Sequence, residues 1–281
     1  MYAHLVSTST RGYMSVLEQV SGKLRLLGIL GDPISQVKSP LMINELIKKQ
    51  QITEILMVPF HISKQNLNQF IPALKTLQNF SGAIITMPHK KNIMTLLDFT
   101  TDQAKAIGAC NVIRRESDGR ISGTMLDGEG FVASLNSRGY VVKGKSIYLA
   151  GAGGAASAIA HALAAHGASK ISIYNRTADK AEMLCHALNT RYAGVSASLG
   201  TTHPEGYDIA INATSVGMED NDELPFSIEK LTNTALICDI IIYPELTYLL
   251  QKADSLGHPT HYGRAMLKEQ IELMLDYMLN Q

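Results

Sequence analysis

SIYLAGAGGAASAIAHALAAHGASKISIYNRT, residues 146–177, carries the strand–turn–helix–strand pattern from which the architecture follows. Residues 146–150 form a short apolar run of strand character. Gly151-Ala152-Gly153-Gly154-Ala155-Ala156 follows, then a small-residue helical run over 157–166 and a second strand over 170–174, ending in Asn175-Arg176-Thr177. Glycines permit a tight strand-to-helix turn and let backbone N–H groups approach a pyrophosphate at the positive end of the next helix. An acid about 20 residues further on binds the ribose hydroxyl of NAD, whereas an Arg there suits the extra phosphate of NADP. Arg176 stands at that position with Lys180 close behind it, so the unit reads as an NADP site. A Gly-rich turn alone also serves as an ordinary corner, and Arg176 alone as a solvated surface charge. The strand–turn–helix–strand context favours the nucleotide reading over both.

Working outward, residues 24–121 alternate short β-rich runs with amphipathic helical ones. Strands are expected over 26–30, 55–60 and 83–87, and helices over 40–50, 64–77 and 91–97. This is the βαβ rhythm of a parallel or mixed sheet. Two further β-like pieces, 110–114 and 120–125, flank the turn Ser117-Asp118-Gly119, and a helix near 128–138 leads into the nucleotide unit. That unit continues through strands over 208–213 and 235–242 to a helix over 246–256. The last segment, 263–279, carries Met266, Leu267, Ile271, Met274, Leu275 and Met278 at helical spacing, a core-facing stripe rather than a ligand surface.

The expected fold class is therefore α/β with two domains, although the length also allows one large domain. An N-terminal α/β substrate domain with a mainly parallel sheet would take 1–127 and 258–281. A Rossmann-like NADP-binding domain would take 128–257, with C-terminal helices returning to the first domain and a ligand cleft between the two.

Composition narrows the partners. A hydrophobic share of 46%, a charged share of 18% and a formal net charge of +0 describe a globular chain with a sizeable core. No long basic run points to nucleic acid or an anionic membrane. No run approaches the ~20 apolar residues of a membrane span, and MYAHLVSTSTRGYM lacks the apolar centre of a secretory signal. The role of the first ~23 residues is left unassigned. Cys110, Cys185 and Cys238 form no C-x-x-C pair, which points to reduced thiols and a cytoplasmic setting. The histidines show no metal-ligand spacing, His89 included, and no metal is expected. A small-molecule substrate and a monomer or homodimer are the expected partners.

Two places carry chemistry in the N-terminal half. Thr86-Met87-Pro88-His89-Lys90 lies at a strand's C-terminal end, where open α/β sheets place ligands, and Asp127 lies just before the nucleotide unit. Oxidising an alcohol needs a base for the hydroxyl proton and a partner that holds that base. A partly desolvated lysine beside a carboxylate makes such a pair. Lys90 and Asp127 supply it if the fold brings them together; otherwise both read as surface charges.

Taken in order, GDPISQVKSP (31–40), GAIITMPHK (82–90), IGACNV (107–112), GTMLDG (123–128), GAGGAA with NRT, and NATSVGM (212–218) resemble the shikimate/quinate dehydrogenase family from about residue 26 to 279. Asp239, Tyr243-Pro244, Thr247, Gly263, Met266-Leu267 and Gln270 extend the match. The resemblance implies an NADP-dependent oxidoreductase of aromatic amino acid biosynthesis that acts on a cyclic hydroxy acid. It implies Lys90 and Asp127 as the catalytic pair, with Ser39, Thr86, Asn111, Tyr243 and Gln270 facing the substrate. It further implies Gly151, Ala152, Gly153, Gly154 and Ala155 at the pyrophosphate, and Asn175, Arg176, Thr177 and Lys180 at the 2′-phosphate. Thr214, Ser215, the Ile241 backbone and Gly263 would lie along the ribose and nicotinamide.

The chain departs from the family pattern at Val37, where the first serine of S-x-S-P stands, and at Ile84, the Asn of G-x-N-V-T. Met125 and Leu126 replace the Asn-Thr of G-x-N-T-D-G. If these positions face the substrate, the redox chemistry is retained on an altered, less polar substrate; if they pack behind it, the effect is small. A non-catalytic NADP-binding regulator on the same scaffold is the alternative, against which the retained Lys90 and Asp127 argue. A dehydrogenase of folate-type substrates has no support beyond a lysine and the nucleotide unit.

Overall fold

A computed structural model describes residues 20–219 and 223–280. The leader reading of the first residues and the start of the first expected domain lie outside the described residues.

The first half runs β1 (Arg25–Gly31), α1 (Ser39–Lys49), β2 (Ile55–His61), α2 (Leu67–Thr76), β3 (Phe80–Ile85), β4 (Phe99–Thr100), α3 (Asp102–Ile107), β5 (Val112–Arg115) and β6 (Ile121–Thr124). Its sheet has the order β2-β1-β3-β5-β6-β4. All neighbours pair in parallel except β5, which is antiparallel to β3 and β6. Every residue of β3 is buried, as a central strand covered on both faces requires. Ile29, Ile84, Ile271 and Met274 share one core cluster; Leu30, Ile85, Ile71 and Leu74 share another.

α4 (Asp127–Asn136) then leads into the second half. This half comprises β7 (Ser146–Ala150), α5 (Gly154–Ala165), β8 (Lys170–Tyr174), α6 (Ala178–Arg191), β9 (Ser196–Leu199), β10 (Ile209–Asn212), β11 (Leu236–Asp239), α7 (Tyr248–Ser255), β12 (Thr260–His261) and α8 (Gly263–Leu279). Its sheet, β12-β11-β10-β7-β8-β9, is parallel throughout. That is the doubly wound Rossmann order, with its switch point between β7 and β10. α4 packs on α5 and α8, and α8 crosses back onto α1, β3 and β5. The α8 methionines Met266, Met274 and Met278 are buried, as their spacing predicts.

Several boundaries differ from the sequence expectation. The strand expected over 83–87 ends at Ile85, ahead of Pro88, and the helix expected over 91–97 is a single 3₁₀ turn, Asn92–Thr95. The helix expected over 64–77 begins only at Leu67. α6 is additional; its buried Ala181, Leu184, Cys185 and Leu188 carry the helical spacing that identifies it. β4, β9 and β12 are too short for periodicity to reveal.

Candidate active site

Lys90 and Asp127, distant in the chain, meet in the fold. The Lys90 Nζ donates to Asp127 Oδ2 over 2.7 Å, with the lysine side chain 32% exposed and the carboxylate 7%. Asp127 opens α4, where the positive helix end favours a carboxylate. Its Oδ1 accepts from Asn111 Nδ2 at 2.6 Å and from Gln270 Nε2. Asn111 is fixed in turn, because its Oδ1 accepts the Leu126 N–H at 2.8 Å. The carboxylate is thus held by donors from β5's approach, from α8 and from the lysine. Lys90 has no second protein acceptor among the described residues, so further donors of its ammonium are free for a ligand.

The turn that carries Lys90 is braced from behind. His89 is fully buried and its Nε2 lies 2.7 Å from the Ile62 carbonyl, to which it donates. The Cys110 N–H donates to the Lys90 carbonyl at 2.8 Å. Cys110, Cys185 and Cys238 are all buried and unpaired.

A cavity of about 350 Å³ opens in front of the pair. Ser39, Thr86, Lys90, Asn111, Asp127, Tyr243 and Gln270, the whole expected set, line it together. Ile29, Val37, Ile84, Leu267, Ile271 and Met274 supply its apolar lining, of which the sequence motifs mark Val37, Ile84 and Leu267 but not Ile29, Ile271 and Met274. Lys38 and Gln36 also line the cavity. The family departures therefore divide. Val37 and Ile84 line the cavity, whereas Met125 is buried with Ala104, Ala109 and Ala158, and Leu126 packs into the first-sheet core.

A second crevice, about 570 Å³, lies at the C-terminal ends of β7, β8 and β10. Gly151, Ala152, Gly153, Asn175, Arg176, Thr214 and Ser215 line it. Tyr174, Thr202, Leu224 and Pro225 do so too, without a sequence signal of their own. Gly154, Ala155, Thr177, Lys180, Ile241 and Gly263 are not among its lining. Gly154 and Ala155 are the first residues of α5; Thr177 and Lys180 are exposed at the start of α6. Gly263 opens α8, with the backbone of Ile240 and Ile241 against it.

The crevice fits a dinucleotide on three observations. Gly151 has φ +115°, and a Cβ there would lie 2.6 Å from the Ala213 carbonyl oxygen, so the corner requires glycine. A Cβ at Gly153 or Gly154 would meet nothing within 4 Å, so the chain leaves space beside the start of α5. No side chain caps α5, which leaves its first N–H groups for an anion. Asn175 is used by the protein itself: its Oδ1 accepts the Ala152 N–H at 3.1 Å and its Nδ2 donates to the Thr177 carbonyl at 2.8 Å. It ties the glycine corner to the Arg176 turn.

The class that this cleft defines is that of two-domain pyridine-nucleotide oxidoreductases. Comparison with known proteins narrows it. Residues 29–113 match the model described as shikimate dehydrogenase substrate binding domain, and residues 134–240 that of shikimate / quinate 5-dehydrogenase. The shikimate dehydrogenase (NADP(+)) of Alkaliphilus oremlandii is 35% identical over 266 residues, 92% of each chain. Shikimate 5-dehydrogenase from Listeria monocytogenes, solved with shikimate and NAD, superposes with a TM-score of 0.86 at 28% identity, covering 94% of both chains. The ligand-free 5-ketofructose reductase of a Gluconobacter strain also reaches 0.86, at 29% identity, covering 93% of this chain and 95% of its own. The chain belongs to the shikimate dehydrogenase family.

Proposed function

We propose that the protein is an NADP-dependent oxidoreductase of aromatic amino acid biosynthesis. It interconverts a cyclic hydroxy acid and its ketone: shikimate and 3-dehydroshikimate, or a related, less polar pair. The observation that carries this reading is the Lys90–Asp127 ion pair at the floor of the cavity, with Asn111 and Gln270 on the same carboxylate. A regulator that only binds NADP has no use for so fully braced a pair.

NADP, when bound, supplies the hydride acceptor for oxidation and the donor for reduction. The chain's own residues manage the proton. In oxidation the substrate hydroxyl passes its proton to the neutral amine of Lys90, which becomes the ammonium paired with Asp127, and in reduction that ammonium returns the proton to the developing alkoxide. Asp127 holds Nζ in place and balances its charge, while Asn111 and Gln270 prevent the carboxylate from rotating. Ser39, Thr86 and Tyr243 orient the substrate from the cavity wall. Gly151–Ala155 would hold the pyrophosphate on the α5 amides. Arg176, with Thr177 and Lys180, would hold the 2′-phosphate, and Asn175 would shape that corner. Thr214, Ser215, the Ile241 backbone and Gly263 would flank the ribose and nicotinamide.

The wall of Val37 and Ile84 supports the less polar substrate. Hydroxyls that lose a partner on entering the cavity each weaken binding by about 0.5–1.5 kcal/mol. We further propose residues 1–127 and 258–281 as the substrate domain and residues 128–257 as the NADP domain, with the exception that β12 (Thr260–His261) pairs with β11 in the second sheet. Unpaired buried cysteines support cytoplasmic residence. No helix among the described residues is long and apolar enough to cross a membrane. As a monomer or homodimer, the enzyme would need no other partner than its small-molecule substrates.

The test is NADPH formation from shikimate and then quinate at saturating NADP⁺, with Lys90→Ala alongside. The variant is expected to lose about 10²–10⁴-fold in kcat with little change in KM. Undiminished turnover would remove Lys90 from the chemistry.

A further inference from the structure

Asp239, at the end of β11, is fully buried, as are Asn212 and Thr247. Among the described residues its carboxylate has no cation on it; three donors satisfy it instead. The Ile241 N–H donates to Oδ1 at 3.0 Å, the Thr247 hydroxyl donates to Oδ2 at 2.8 Å, and Asn212 Nδ2 lies 3.2 Å from both oxygens. Asn212 carries the connection onward. Its Oδ1 accepts the Thr214 N–H at 3.1 Å and the Thr214 hydroxyl at 2.7 Å, and its Nδ2 also donates to the Val216 carbonyl at 3.0 Å. The Thr214 Oγ1 accepts the Val216 N–H at 3.1 Å. The Thr247 hydroxyl, while donating to Asp239, caps α7 by accepting the Leu250 N–H.

This network joins two walls. Residues 213–216 line the nucleotide crevice, and the segment that leaves Asp239 reaches the substrate cavity at Ile242 and Tyr243. A carboxylate offers only acceptors and so suits converging donors; a neutral amide of the same shape would turn its own N–H₂ against at least one of them. Burial without a counter-charge is costly, and such a group persists where its geometry is needed.

We propose that Asp239 is a positioning residue that sets the nicotinamide end of the cofactor site against the substrate cavity, leaving the adenosine end untouched. The inference rests on the placement of Thr214, Ser215 and Ile241 beside the nicotinamide given above. Two ligands separate the ends: NADPH, and 2′,5′-ADP, which has the 2′-phosphate but no nicotinamide. Asp239→Asn is expected to raise the Kd of NADPH, read by its fluorescence, about tenfold while shifting that of 2′,5′-ADP less than about twofold. Arg176→Ala should weaken both ligands.

Equal weakening of the two ligands by Asp239→Asn, or no change in either, overturns the proposal. Should that variant not fold, Thr247→Val is expected to weaken NADPH about threefold without moving 2′,5′-ADP, and Thr247→Ser to restore it. Wild-type affinity in Thr247→Val overturns the proposal as well. Binding is read without turnover. A wild type that binds NADPH but oxidises no hydroxy acid therefore fails the dehydrogenase reading, while the ligand comparison still decides the role of Asp239.

Discussion

At the scale of single residues, the cleft separates positions that touch a ligand from positions that only hold the chain together. Val37 and Ile84 stand on the cavity wall, whereas Met125 fills a pocket among alanines behind it. Only the first two can alter what the site accepts. Restoring polarity there with Val37→Ser and Ile84→Asn is expected to raise kcat/KM for shikimate by about tenfold or more, since each change returns a hydrogen-bond partner to a hydroxylated ring. A flat kcat/KM would show that the wall does not set specificity. Neither variant touches the Lys90–Asp127 bond, so any gain reports on binding rather than on proton transfer.

At the scale of elements, α4 is the part on which the site depends, because it presents Asp127 and is packed between α5 and α8. Gly130 makes that possible. A Cβ there would lie 2.7 Å from the Gln270 Cβ and 3.0 Å from its Cα, so glycine allows α8 to come close enough for Gln270 to reach the carboxylate. Alanine is the better helix former by about 1 kcal/mol. Gly130→Ala is nonetheless expected to lower Tm, because overpacking of a tight helix contact costs about 1–3 kcal/mol. Turnover should fall with it as Gln270 retreats. A thermal melt followed by circular dichroism checks this; an unchanged or higher Tm would mean that the helices part without cost.

At the scale of the whole molecule, buried titratable groups contribute to the response to acid. Burial pushes His161 and His261 down to about 4 and Asp239 up to about 6. The histidines fold neutral, so the unfolded chain takes up their protons first, and the stability present above about 6.5 is lost as pH falls toward 4. Asp239 acts in the opposite sense, since the folded state takes up its proton first and gains relative stability as pH falls from about 6. The shifts are of similar size, so the two histidines outweigh the one aspartate. His261 Nε2 lies 2.8 Å from Ser134 Oγ, a contact that glutamine can imitate. The drop in Tm between pH 6.5 and 4.5 is expected to be smaller in His261→Gln than in the wild type. An equal drop would relieve His261 of that role.

The Rossmann half, the αβ rhythm of the first half and the family are legible in the chain alone, because glycine corners, strand runs and ordered motifs are local properties. The sequence also named Lys90, Asp127, Asn111 and Gln270 and, through the family resemblance, placed them at one site, but the residues themselves carry no sign of which atoms meet. Lys90 and Asn111 meet Asp127 only through the fold of the first half, and Gln270 joins them only because α8 crosses back onto the first sheet, a contact between residues more than a hundred positions apart. Hydrophobic periodicity marks α8 as buried without saying against what. The same holds for Val37, Ile84 and Met125: alike in apolar character on paper, they are sorted into wall and core only by where the fold brings the loop before α1, strand β3 and the turn after β6. The cavity's apolar face, the Asp239 network and the spacing that Gly130 permits come only from the folded chain, because each is a relation between segments that local sequence cannot express.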